Sequence, residues 1–131
     1  MFLGLIKDQK FIPTIYKETV FDVDYIKLYE SGIRLILTDL DNTLVSYKDN
    51  EVNDKLMKWL EERKREGFEI MIISNNSSEV RVREFAEKLG IEYVARAMKP
   101  LKCGFKRVIK KATRKFSPNE VVAIGDQLMT D

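Results

Sequence analysis

The chain has 131 residues, 44% hydrophobic and 34% charged, the balance of one globular domain and not of a disordered segment. Its net charge of +2 is too mild to argue for nucleic acid, and the lack of histidine excludes His-based triads, His-ligated zinc and phosphohistidine chemistry. The single cysteine, Cys103, can form no internal disulfide, so nothing points to an oxidising compartment.

Met1 to Ile6 is apolar but stops at Lys7-Asp8, too short for a signal peptide or a bilayer span, which makes a cytoplasmic protein the expectation. Residues 1 to about 30 read as an irregular N-terminal lead-in to a single domain spanning 1–131. Within it Phe11-Ile12-Pro13 is extended, because Pro13 disfavours helix at Ile12. Asp24 is suited to cap a short helix through Glu30, with Gly32 as its stop. A buried strand follows at Ile33 to Thr38. The stripe Val52, Leu56, Trp59, Leu60 predicts a helix over about 52–66, ended by Gly67. A second strand covers Glu69 to Ile73. A second helix, about 78–89, carries Val82, Phe85, Ala86 and Leu89 on one face, with Gly90 as its stop. A short third strand lies near Glu92 to Ala95. Pro100 opens a third helix whose apolar stripe runs from Leu101 through Phe105, Val108, Ile109 and Ala112 to Phe116. Val121 to Ile124 is the fourth strand. Strands alternating with helices predict an α/β, doubly wound, Rossmann-like parallel sheet.

Polar residues sit where these strands end, the edge at which open α/β sheets bind ligands. The first strand runs into Asp39-Leu40-Asp41-Asn42-Thr43, the second into Ser74-Asn75-Asn76. Lys99 follows the third strand, and Gly125-Asp126 through Asp131 follows the fourth. A carboxylate at such an edge can attack as a nucleophile, and a second one two residues on can move protons. Taken singly, Ser74 is a turn or cap residue and Lys99 a surface lysine. Their order along successive strands favours one shared site. Like charges about 4 Å apart repel by roughly 4 kcal/mol at an effective dielectric near 20, so converging carboxylates need a cation. Oxygen donors without His or Cys favour Mg²⁺ over zinc.

With DxDxT at Asp39 to Thr43, a hydroxyl at Ser74, a lysine at Lys99 and GDxxxxD from Gly125 to Asp131, the chain resembles haloacid dehalogenase (HAD) superfamily phosphatases of subfamily IIIA. That resemblance implies Mg²⁺-dependent phosphomonoester hydrolysis. Asp39 would be the nucleophile, forming an aspartyl-phosphate, and Asp41 the general acid and base. Ser74, Asn75 and Lys99 would hold the phosphoryl group, and Asp39, Asp41, Asp126 and Asp131 the metal. Thr43 would orient the loop.

Family members often carry a cap domain after the first motif or between the hydroxyl and lysine motifs. Neither gap here has room for one, so an open site and a macromolecular or membrane-bound substrate are expected. Phe11-Ile12-Pro13, Val20 to Asp24 and the Gly125 to Asp131 stretch resemble the capless YqeG-like group, related to the mitochondrial phosphatidylglycerophosphate phosphatase. The implied reaction is conversion of phosphatidylglycerophosphate to phosphatidylglycerol. Related chains continue past the position of Asp131 with a helix and a strand. A truncated chain, with its fourth strand at an unprotected sheet edge, is the corresponding expectation.

Lys102 to Lys115 holds seven basic residues and no acidic one. That stretch is either a solvated helix face or a peripheral contact with anionic lipid. The alternatives for the whole chain are a phosphatase for a soluble nucleotide, sugar phosphate or phosphoprotein, and a non-catalytic binding module.

Overall fold

The computed structural model describes residues 2–7, 10–40, 43–44, 52–74, 79–95 and 101–125. Strands β1 (Phe2–Lys7), β2 (Lys10–Tyr16), β3 (Leu35–Thr38), β4 (Glu69–Ser74), β5 (Glu92–Ala95) and β6 (Val121–Gly125) form one sheet, in the order β2-β1-β6-β3-β4-β5. β3 runs parallel to both β4 and β6, and β4 runs parallel to β5. β1 is antiparallel to both β2 and β6.

The central strands are apolar between their end residues, and both faces of the sheet are covered, as a parallel sheet requires. Ile36, Ile70, Ile72, Val122 and Ile124 pack with Leu56, Trp59 and Leu60 of α2 (Asp54–Glu66) and Val82, Phe85 and Ala86 of α3 (Glu79–Leu89). Alternate residues Leu35, Leu37, Met71, Ile73 and Ala123 form a second cluster with Val108 of α4 (Leu101–Lys111) and with Phe116. Helices on both faces make the sheet doubly wound. The short α1 (Tyr25–Glu30) contributes Tyr25 to the first cluster.

Local chemistry sets the helix limits. The Asp24 side chain accepts from the Lys27 amide and opens α1. The Asn53 side chain accepts from the Leu56 amide at 2.8 Å, so α2 starts after Asn53 and leaves Val52 outside. Gly67 closes α2 at φ 109°, a left-handed conformation that favours glycine. α4 ends at Lys111, short of Phe116, which reaches the same core from the segment beyond the helix.

Two expectations are corrected. The first thirty residues are not irregular: β1 and β2 form a hairpin, followed by a 3-10 turn (Val20–Asp22) and α1. Nor is the fourth strand of the sequence reading, β6, an edge. β1 pairs along it from Phe2↔Gly125 to Leu5↔Val122, and β3 pairs on its other side. The edges are β2 and β5. Pro13 in β2 and the bulge at Leu3/Gly4 in β1 both disfavour further strand addition at the β2 side.

Candidate active site

The chain leaves β3 for β4 in one direction along the sheet, then returns from β5 past β3 to β6. The order therefore reverses between β3 and β6, the kind of switch point at which open α/β sheets bind ligands. Asp39 follows β3 directly at this point. Its amide donates to the Ile124 carbonyl at 3.0 Å, so the ladder between β3 and β6 extends to the backbone of Asp39 itself. The side chain is half-buried.

Thr38, fully buried, donates through Oγ1 to the Asp39 carbonyl at 3.0 Å. Sequence reading takes Thr38 only as the end of the strand. A hydroxyl-bearing residue at the last strand position, just before the acidic residue, is the signal for this positioning bond. Beyond Asp39, Leu40 and Leu44 are both buried in the first core cluster, and the Leu44 amide donates to the Leu40 carbonyl at 3.0 Å. The turn is thus pinned by two leucines. Thr43 lies between them, and its Oγ1 is buried with no hydrogen-bond partner among the described residues.

Ser74 ends β4, one strand over from β3, with 4% of its surface exposed. The register pairs Thr38 with Ile72, so Ser74 reaches one residue beyond the level of Asp39 on a strand about 4.8 Å away. Gly125 closes β6 on the other side of Asp39. The structure therefore brings Asp39, Ser74 and Gly125 to one edge. Asp41, Asn75, Lys99, Asp126 and Asp131 lie outside the described residues; Asp126 follows Gly125 directly in sequence. Carboxylates of Asp39, Asp126 and Asp131 with the backbone carbonyl of Asp41 make an all-oxygen donor set, which fits a hard divalent cation such as Mg²⁺. A cavity of about 440 Å³, lined by Tyr29, Arg34, Lys64, Glu69 and Arg114 among others, lies at the opposite edge and takes no part in this site. Between Ser74 and residue 101 the described chain holds only α3 and β5, with no cap domain among the described residues.

A mostly parallel sheet with an acidic residue at its switch point, a serine on the next strand and no cap domain among the described residues fits the core of a HAD-type phosphatase. The fold is similar to that of a structure from Vibrio cholerae named for 3-deoxy-D-manno-octulosonate 8-phosphate phosphatase. The TM-score is 0.56 at 19% identity, over 93% of this chain and 69% of that one. The protein named Probable phosphatase YqeG of Bacillus subtilis (strain 168) is 39% identical over 121 residues, which is 92% of this chain and 69% of that protein. The family model described as "Mitochondrial PGP phosphatase" matches residues 2–131. The chain belongs to that family and is a phosphoric monoester hydrolase of the YqeG type. No helix among the described residues is long and apolar enough to cross a membrane.

Proposed function

We propose that the protein hydrolyses a phosphomonoester borne by a membrane lipid, with phosphatidylglycerophosphate as the substrate and phosphatidylglycerol and phosphate as products. The observation that carries the chemistry is the placement of Asp39 at the switch point, its backbone fixed by the bond to Ile124 and Ser74 on the adjacent strand. The family description and a core with no cap domain among the described residues support the lipid.

Asp39 attacks phosphorus and the bond to the leaving oxygen breaks, giving an aspartyl-phosphate. Asp41 gives its proton to the leaving alkoxide, then takes one from the water that attacks the phosphorus of the intermediate. That second step releases phosphate and restores Asp39. Ser74 and Lys99 hold the transferring oxygens, and such positioning carries most of phosphoryl-transfer catalysis. Mg²⁺ held by Asp39, Asp41, Asp126 and Asp131 would offset the repulsion between the attacking carboxylate and the phosphoryl group.

The test measures phosphate release from phosphatidylglycerophosphate in vesicles and from a panel of soluble phosphomonoesters, with and without chelator. Activity should require added Mg²⁺. It should fall by about a thousandfold or more in Asp39→Asn, whose amide is not a nucleophile, with the melting temperature nearly unchanged. Equal or faster turnover of a soluble ester would replace the lipid with that ester as substrate.

A further inference from the structure

A hydroxyl buried in an apolar sheet costs stability unless it is bonded, so its partner shows what it is there to hold. Among the described residues, aromatic side chains apart, the buried polar ones are Thr38 and Ser74, and both stand at the Asp39 edge. Ser74 already belongs to the candidate site. Thr38 lies across from Ile72 on β4 and from Ile124 on β6. Alternation along β3 puts it on the face of Ile36, which packs against α2 and α3. Thr38, Ile72 and Ile124 are all fully buried. Packing alone would favour valine at such a place, because valine has the shape of threonine without the hydroxyl.

The Thr38 hydroxyl donates to the carbonyl of the next residue, Asp39. That bond closes a ring through Oγ1, Cβ, Cα and the carbonyl carbon of Thr38, then N, Cα, C and O of Asp39. The peptide bond between the two residues is planar, so φ and ψ of Asp39 are the soft backbone torsions of that residue and both lie inside the ring. Threonine is a stiff anchor for it, because two heavy atoms on Cβ restrict χ1. The Asp39 amide is tied in turn to the Ile124 carbonyl, which holds the ring against β6. One peptide plane is thus fixed to the sheet and both torsions of Asp39 are constrained. The Cα–Cβ bond that carries the Asp39 carboxylate is thereby aimed.

We infer that Thr38 is a positioning residue for the hydrolysis, its hydroxyl fixing the backbone of Asp39 and so directing the carboxylate at phosphorus. The inference rests on the reading of Asp39 as the nucleophile. In-line attack tolerates little misplacement, and about 1 Å can cost on the order of a hundredfold in rate.

The experiment compares the wild type with Thr38→Val, Thr38→Ser, Thr38→Ala and Asp39→Asn. The readouts are kcat and KM on p-nitrophenyl phosphate with Mg²⁺ present, and melting temperature. Thr38→Val removes the hydroxyl and keeps the packing, Thr38→Ser does the reverse, and Thr38→Ala removes both. Turnover should sort by the hydroxyl: kcat falls by about tenfold or more in Thr38→Val and Thr38→Ala and stays within about threefold in Thr38→Ser. KM should move by less than about twofold, because the aim of the carboxylate matters in the transition state more than in substrate binding. Melting temperature should sort by packing instead, with Thr38→Val close to the wild type and Thr38→Ser and Thr38→Ala below it. Wild-type kcat in Thr38→Val, a loss carried by KM, or kcat that follows melting temperature through the series overturns the inference. Should Thr38→Val fail to fold, Thr38→Ser against Thr38→Ala decides it, and equal kcat in those two overturns it. Loss in Asp39→Asn without loss in Thr38→Val removes the role of Thr38 and leaves the nucleophile standing. Full activity in Asp39→Asn removes both.

Discussion

Tyr25 and Glu120 show how single side chains couple stability to pH. The Tyr25 hydroxyl is buried and donates to the Val20 carbonyl at 2.6 Å, with Trp59 and Phe68 edge-on to its ring. Burial pushes its pKa above the ordinary value of 10.0, because the phenolate would lose its water. The folded state keeps the proton longer than the unfolded state. The associated stability is therefore complete below pH 10 and is lost as pH rises beyond it. Tyr25→Phe should cost about 1–2 kcal/mol at neutral pH, measured by urea unfolding, and should unfold less steeply with pH above 10 than the wild type. Glu120 behaves in the opposite sense. Its carboxylate accepts from the Arg114 guanidinium at 2.6 Å and from the Ser117 amide, and its pKa falls from 4.5 to about 2. The benefit is present above about pH 4.5 and disappears as pH falls towards 2. The pair is on the surface, so the melting-temperature advantage of wild type over Glu120→Gln should be small at neutral pH, shrink with salt and vanish near pH 2. The places of Asp39 and Ser74 at strand ends were legible because apolar runs, Leu35 to Leu37 and Ile70 to Ile73, lead up to them. The Tyr25 bond to Val20 was not, since it forms only once the chain has turned back on itself.

Helix ends and strand pairings were unequally readable. Apolar stripes located α2 and α3, and Gly67 and Gly90 marked their ends. The two glycines differ in what they tolerate. Gly67 has φ 109°, and a Cβ there would lie 3.1 Å from the Tyr29 ring; Gly90 has φ 70° and open space around it. Gly67→Ala should therefore destabilise by about 1–2 kcal/mol or more, and Gly90→Ala by less, as compared by thermal unfolding of the two variants. The start of α2 was missed by about two residues because Val52 continues the apolar stripe, whereas the cap is the polar Asn53. Of the β1–β2 hairpin only the extended Phe11-Ile12-Pro13 stretch was read; β1 and the pairing were missed. Gly4 and Pro13 weaken its strand pattern, and what holds β1 is a ladder to β6, a strand encoded far away in sequence.

At the scale of the whole molecule, the alternation of strands and helices was enough to bring the ends of β3, β4 and β6 to one edge. Right-handed crossovers leave little choice about where strand ends lie. It was not enough to place β6, because sheet order depends on long-range pairing. The consequence is testable by deleting residues 1–16. β6 would lose its antiparallel neighbour, Leu3 would leave the core, and the strand leading to Gly125 would become an exposed edge. The shortened protein should aggregate or melt at lower temperature and lose phosphatase activity, as followed by light scattering and phosphate release.

The pairing of Leu3 with Ile124 also constrains the order of events during synthesis. Nearly all of the described chain lies between these partners. β1 and β2 can meet while the ribosome is still working, but their hairpin has nowhere to dock until β6 has emerged. β1 thus waits for a strand made well after it. Until then a nascent chain carries an open flank, and help from a chaperone would matter most at that stage.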